Sequence, residues 1–442
     1  MIQMGRFTKD ALITFITRVL MVILGLGVSI IIARFLGPKG QGIYSLAILL
    51  PSLLIIFTNF GIDSASIYFI GKKKYSPREV FGGNIIFTVL LSVSAILIGL
   101  IIIFFLSDRF FQGVEKIYLF LALSLIPFTL FFNFISHILL GLQKIKKYNI
   151  VFFLQSFFFL TLVGILLLGL RFEIEAVILA QVASYFLVGI ILFFIIKKEA
   201  GGLIFKINKR YFKNILSYGF KVYLTNTFNF LHYRIDQFLI NIFLNPIAVG
   251  FYYVAARLSE AVWLFSSSVG TVLFPKIVSE TDQKRLKEFT PLVCRNVVFV
   301  TLLIVILLLI FSHWIIVLFY SEEFLESVKP FQILLIGSLL IAEWRILAND
   351  LTARGKPMIN NYITGFSVIL NIILNIIFIP KWGIIGAAWA TVISYSAVAV
   401  ITTIIYSKIS GNSIKDIIIF KKVDLNFYKN ILSGIRKSRK LS

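Results

Sequence analysis

"FLGPKGQGIY", Phe35–Tyr44, returns 208 positions later as "FLNPIAVGFY", Phe243–Tyr252, with Phe, Leu, Pro, Gly and Tyr held at five of the ten positions. A second mark recurs at nearly the same offset: "AQVASY", Ala180–Tyr185, and "ATVISY", Ala390–Tyr395, share four residues. Proline has no amide hydrogen to satisfy and fixes its own φ, so Pro38 and Pro246 suit the first turn of a returning helix. Gly42 and Gly250 permit close approach or an unusual backbone angle. Each copy reads as a tight turn between two helices, and the pair reads as a tandem duplication. The plainer alternative is turn chemistry shared without duplication.

The surroundings of the turns say where they lie. Hydrophobic residues make up 59% of 442 positions, above the roughly 45–50% of soluble domains, and mean hydropathy is +0.95. A membrane span needs about 20 mostly apolar residues. Continuous apolar runs, without strict alternation, favour helices over a lipid-facing barrel. Twelve such segments are legible between positions 10 and 407. The expectation is an all-α polytopic membrane protein of twelve transmembrane helices, in two six-helix halves related by a parallel pseudo-repeat. The halves are 1–198 and 211–410, joined by a cytoplasmic linker at 199–210 and followed by a basic cytoplasmic tail at 411–442. Residues 10–34 are too long an apolar stretch for a signal-peptide core and precede no small-residue cleavage site, so they read as an uncleaved first helix.

The net charge of +23 is explained by its placement and needs no nucleic-acid partner. Lys72, Lys73, Lys74 and Arg78, then Lys144, Lys146 and Lys147, and the segments around 197–213, 276–287 and 408 onward gather the cations on one side. The turns facing the other way hold seven: Arg34, Lys39, Arg109, Lys116, Arg171, Lys329 and Lys381. The positive-inside rule then puts both termini in the cytoplasm. A single cysteine, Cys294, excludes an intrachain disulfide and a thiolate metal cluster. His137, His232 and His313 have no metal-ligand spacing, and no phosphate-cradling glycine loop occurs, so neither a metal, a cofactor nor direct use of ATP is expected.

Charges inside spans are costly, about 2.5–3.5 kcal/mol each at a helix centre, and so mark function or pairing. The cations are Arg18, Lys221, Arg234, Arg257, Arg295 and Arg345; the acids are Asp63, Asp236, Glu260, Glu343 and Asp350. Arg18 and Asp63 fall at similar depth on adjacent spans. Tyr218, Lys221, Thr225, Asn229, His232 and Asp236 share one face at 100° per residue, with Arg234 nearly opposite. That stripe is expected to line a polar cavity, while Asp236 with Arg257, or Arg257 with Glu260, are alternatively static ion pairs. Tyr218, Tyr233 and Tyr252 are candidates for stacking on sugars.

The "ARFLGPKGQGIYS" turn, "GLQKIKKYN" (Gly141–Asn149) and "YRIDQFLI" (Tyr233–Ile240) resemble the polysaccharide-repeat (O-antigen, Wzx-type) flippase family, in the superfamily that also holds multidrug extruders and lipid II flippases. The resemblance covers about residues 5–410, and its motifs are individually loose. It implies a bacterial or archaeal cell-membrane transporter, not an enzyme. The implied substrate is an oligosaccharide on undecaprenyl pyrophosphate, carried outward by alternating access, with membrane lipids and polysaccharide-assembly proteins as neighbours. Guanidinium and ammonium groups suit its phosphates, which makes Arg18, Lys221, Asn229, Arg257, Arg295 and Arg345 the substrate-binding candidates. Asp63, Asp236 and Glu260 are candidates for coupling to a proton or sodium ion. Two alternatives remain: a drug or cation antiporter of the same superfamily, which would need a compact acidic site, and a membrane-embedded polymerase or ligase, which would need a long external loop. A major-facilitator reading fails because "GKKKYSPRE" lacks the loop motif of that family.

Overall fold

A computed structural model describes residues 2–170, 172–205, 209–279, 282–421 and 424. Helix dominates, and no strand occurs among the described residues. In chain order the helices are α1 (Ile2–Thr58), α2 (Ile62–Gly71), α3 (Pro77–Phe110), α4 (Lys116–Leu123), α5 (Leu125–Gly141), α6 (Ile145–Val163), α7 (Ile174–Ala200), α8 (Lys209–Phe243), α9 (Pro246–Ala261), α10 (Trp263–Ser279), α11 (Gln283–Tyr320), α12 (Val328–Ala353), α13 (Pro357–Ser410) and α14 (Ile414–Ile418). Nine helical stretches among the described residues are long and apolar enough to cross a membrane. At 57 and 54 residues, α1 and α13 are more than twice the length a crossing requires at 1.5 Å per residue. Each is broken by a glycine in a non-helical conformation, Gly37 at φ 64° and Gly383 at φ 59°. A side chain at either joint would be strained.

Local signals explain the element ends. In "YSPRE", the Ser76 hydroxyl accepts from the Glu79 amide while the Glu79 carboxylate accepts from the Ser76 amide, and Pro77 opens α3; this is a capping box with proline in the first turn. At the end of α7, Gly201 takes the left-handed conformation at φ 75° and its amide returns to the last turn, where Lys197 and Lys198 complement the helix dipole. Arg34 donates to the Phe319 carbonyl at 2.9 Å and also to that of Leu318, closing the C-terminal end of α11.

The chain forms two compact units. The first takes the chain up to Leu258 with His313–Phe331 and Ile372–Ala388; the second takes Ser259–Ser312, Gln332–Asn371 and Trp389 onward. In the first unit α8 packs against α1, α2 and α3. Side chains such as Phe105, Leu97 and Phe194 point outward, as a hydrocarbon solvent requires. Polar groups turn inward and find partners across helices: Asn84 donates to Ser66 and to the Phe134 carbonyl, and Asn149 donates to Thr14. Such pairs hold membrane helices together where lipid removes the hydrophobic driving force.

The repeated turns meet each other. A β-carbon built on Gly42 would lie 1.7 Å from the Pro246 carbonyl oxygen, and one on Gly250 would lie 2.1 Å from that of Pro38. The contact is reciprocal, each glycine seating the proline of the other copy. The second marks also have matching parts. Ser184 accepts from the Gln155 amide, and Ser394 accepts from the Asn371 amide. Gly250→Ala is therefore expected to lower the thermal unfolding temperature in detergent by several degrees, because two backbones must separate. Gly71→Ala, where a β-carbon meets nothing within 4 Å, should leave it unchanged; equal effects would contradict the contact.

Candidate functional site

A cavity of about 370 Å³ opens within the first unit, beneath the paired turns. Both limbs of α1 line it, together with α6, α7, α8 and α9. Arg234 and Arg257 are its charges, and no carboxylate is among its described lining residues. Hydrogen-bonding groups surround them: Gln155, Gln181 and Gln237, with Tyr185 and Tyr253. Gly25 leaves the room that Arg257 uses, since a β-carbon there would lie 3.2 Å from a guanidinium nitrogen. Arg234 donates to the Tyr233 carbonyl at 3.0 Å, which fixes its orientation. The Tyr44 hydroxyl donates to Gln181 at 2.9 Å, so the repeated turn and the "AQVASY" mark help to build one wall.

On α8 the arrangement is the reverse of the polar-stripe reading. Phe230, Arg234 and Gln237, at i, i+4 and i+7, face the cavity. Asp236 and His232 are buried on the other side. The Asp236 carboxylate accepts from the Tyr252 hydroxyl at 2.7 Å and from the Asn375 amide at 2.9 Å. Interhelical hydrogen bonding and cavity lining both require a polar face at helical spacing, so periodicity alone did not separate them. Of the sugar-stacking candidates, Tyr218 stacks on Tyr68 with centroids 4.2 Å apart, Tyr233 lies parallel to His232, and Tyr252 is buried.

The remaining candidates are spread over the molecule. Arg18 is exposed on α1 and Asp63 half-buried in the first turn of α2, and the Tyr148 hydroxyl lies in the fields of both. One Asp63 oxygen accepts from the Ser64 amide at 2.7 Å. Lys221 belongs to α8, with its side chain, like that of Thr225, outside the described residues. Asn229 is half-buried beside the cavity-lining Phe230. Arg295, Arg345 and Glu260 belong to the second unit and do not line this cavity. Arg295 is bound at 2.8 Å through two nitrogens to both oxygens of Asp424. Arg345 lies over the Trp263 ring, 5.1 Å from its centroid, and Glu260 is half-buried in α9. Two further acids are also engaged: Glu343 accepts from Thr403 at 2.6 Å and Asp350 accepts from Thr290 at 2.6 Å. Sequence reasoning passed over Arg234 and Gln237; their spacing with Phe230 was the available signal.

An all-α bundle with an arginine-bearing polar cavity in its membrane region fits a transporter, and comparison with known proteins places it in the multidrug, oligosaccharidyl-lipid and polysaccharide exporter superfamily. Within it, the chain belongs to the polysaccharide biosynthesis protein family, whose pattern matches residues 7–281, in the flippase branch of that superfamily. It is 33% identical over 165 residues to the probable low-salt glycan biosynthesis flippase Agl15 of Haloferax volcanii, covering 36% of this chain and 35% of that one. It is 23% identical to the putative O-antigen transporter of Shigella flexneri, over 81% of this chain and 87% of the relative. The fold matches the lipid II flippase MurJ in an inward closed conformation with a TM-score of 0.77, at 20% identity and 96% coverage of both chains. An inward-facing multidrug transporter of the superfamily matches at 0.71 and 15% identity, over 88% of this chain and 94% of that one.

The geometry separates cavity groups from structural ones. Asp236→Ala leaves the Tyr252 hydroxyl and the Asn375 amide without this acceptor, at a cost of about 1–3 kcal/mol for each buried group left unpaired. It is expected to lower thermal stability in detergent clearly; an unchanged unfolding temperature would contradict the structural role of Asp236.

Proposed function

We propose that this protein moves an oligosaccharide linked through pyrophosphate to a polyprenol, such as undecaprenol, from the cytoplasmic to the outer leaflet. The observation that carries this reading is the charge of the cavity: two guanidinium groups and no carboxylate among its described lining residues. Guanidinium binds phosphate through paired hydrogen bonds, while the glutamine and tyrosine groups around it suit sugar hydroxyls. The polyprenyl tail remains in lipid. Family membership, with a glycan biosynthesis flippase and an O-antigen transporter among the relatives, supports the substrate class.

Transport proceeds by alternating access of two six-helix halves, twelve spans in all with both termini cytoplasmic, and the glycine contact of the repeated turns is the outer closure. An inside-negative potential assists outward movement of the anion, by about 2.3 kcal/mol per elementary charge per 100 mV. Of the coupling candidates, Asp236 is held by Tyr252 and Asn375 as a structural acceptor, which leaves Asp63, half-buried in the first turn of α2, for coupling to a proton or a sodium ion. Arg257, with Arg234 beside it in the lining, holds the pyrophosphate. Arg18, Lys221 and Asn229 act along the inner approach, and Arg295, bound to Asp424, and Arg345, over the Trp263 ring, serve the second unit rather than the substrate. A drug or cation antiporter is disfavoured because an exposed carboxylate in the cavity would be needed. A polymerase or ligase is disfavoured by short connections, such as that between α3 and α4.

Reconstitution into vesicles with a fluorescent polyprenyl-pyrophosphate oligosaccharide tests the proposal. Wild-type protein should expose the glycan to an external lectin, and Arg257→Gln should slow this at least about tenfold with insertion unchanged. Equal rates with and without protein, or proton-driven efflux of a cationic dye instead, would overturn it.

A further inference from the structure

A second cavity, of about 880 Å³, lies in the second unit and shares no lining residue with the first. It is enclosed by the end of α10, the first turns of α11 and the segment from Asn412 to Lys421. Lys276, Arg285 and Lys287 supply positive charge against Glu288 among the described lining residues, while Arg295 is paired with Asp424 and Lys421 with Asp416. One wall is apolar, formed by Leu286, Phe289, Pro291 and Leu292. Lys276 lies over the Phe289 ring, 3.8 Å from its centroid, so cation and apolar surface are adjacent.

The C-terminal segment is fastened in place. Arg295, 7% exposed, grips Asp424, which is fully buried, and also donates to the Asp416 carbonyl. The Asn412 amide donates to the Lys287 carbonyl at 3.0 Å. Ile417 is buried in a core with Cys294, Leu286 and Tyr406. Burial raises the Asp424 acid, but hydrogen bonds from Arg295 outweigh it and hold the carboxyl below its ordinary value. A depressed carboxylate stabilises the fold above its unfolded pKa of about 3.9, and that stabilisation is lost only as pH falls through the lower folded value. The fastening therefore stands throughout the neutral range. On the same segment Ile414, Ile418 and Ile419 are 42–54% exposed.

We propose that this cavity binds the headgroup of an anionic phospholipid from the surrounding leaflet. Its cations meet the phosphate, its apolar wall receives the glycerol and the first acyl carbons, and the exposed isoleucines border the lipid. Basic pockets at the inner membrane surface bind anionic headgroups in this manner, and the grouping of cations near 276–287 assigns this end of the molecule to that surface. A soluble phosphate would use the cations alone.

The full-length protein, delipidated in detergent, is titrated with phosphatidylglycerol, phosphatidylcholine or inorganic pyrophosphate, and occupancy is read by native mass spectrometry beside thermal unfolding. Phosphatidylglycerol should stay bound and raise the unfolding temperature, with neither effect from the other two. The double variant Lys276→Met/Lys287→Met should weaken phosphatidylglycerol binding at least about tenfold, and Lys72→Met/Lys73→Met should not. If the double variant folds poorly, Arg285→Met alone should weaken binding at least threefold. Equal retention by wild type and the α10–α11 variants overturns the site. Pyrophosphate protection as large as that of phosphatidylglycerol overturns the lipid as its source.

Discussion

Two peptide backbones touch where Gly42 meets Pro246 and Gly250 meets Pro38, and the first unit is arranged around that contact. Side chains at either position would drive the turns apart, so the helices entering and leaving them would diverge. Below the contact those same helices carry Tyr44, Arg234, Gln237 and Arg257 to the cavity. A second pair of this kind joins α2 to α8: a β-carbon on Gly61 would lie 2.2 Å from the Gly219 carbonyl oxygen, and one on Gly219 would lie 2.3 Å from that of Phe60. Glycine contacts of this type adhere through backbone proximity and leave no interdigitated side chains.

Charge is used in two distinct ways. Arg295, Asp350, Glu343 and Asp236 are each engaged by named partners at 2.6–2.9 Å, as the cost of bare charge in hydrocarbon demands. Arg234, held by the Tyr233 carbonyl, and Arg257 line the cavity of the first unit. The first set ties helices to one another, and the second makes the cavity lining basic among its described residues.

The duplicated turns were legible because a Pro–Gly constraint leaves few alternatives; their reciprocal contact was not, since no sequence pattern says which glycines face each other. Helical membrane character was likewise evident from the apolar runs. The division into compact units, falling beside Leu258, was not anticipated, because α8 and the start of α9 attach to the helices before them. In the cavity, Arg257 was named from its cost in the membrane. Arg234 was set aside because Asp236, two residues away, sat on the more polar face. That face proved to be a hydrogen-bonded interior, and only the positions of Tyr252 and Asn375 distinguish the two cases. The segment from 411 onward reads in the sequence as a basic cytoplasmic tail. Its early part, through Ile417 and Asp424, is anchored to α11, and residues 425–442 lie outside the described ones.

The central claim is that the paired turns are a closure that must open. Cysteines placed at Lys39 and Ile247, beside the two contacting prolines, test it in reconstituted vesicles. The lone native cysteine, Cys294, is fully buried and does not compete. A disulfide across the turns should stop appearance of the glycan outside, and reduction should restore it. If the crosslink forms quantitatively and flipping continues at the reduced rate, the turns are a fixed joint and the account is wrong.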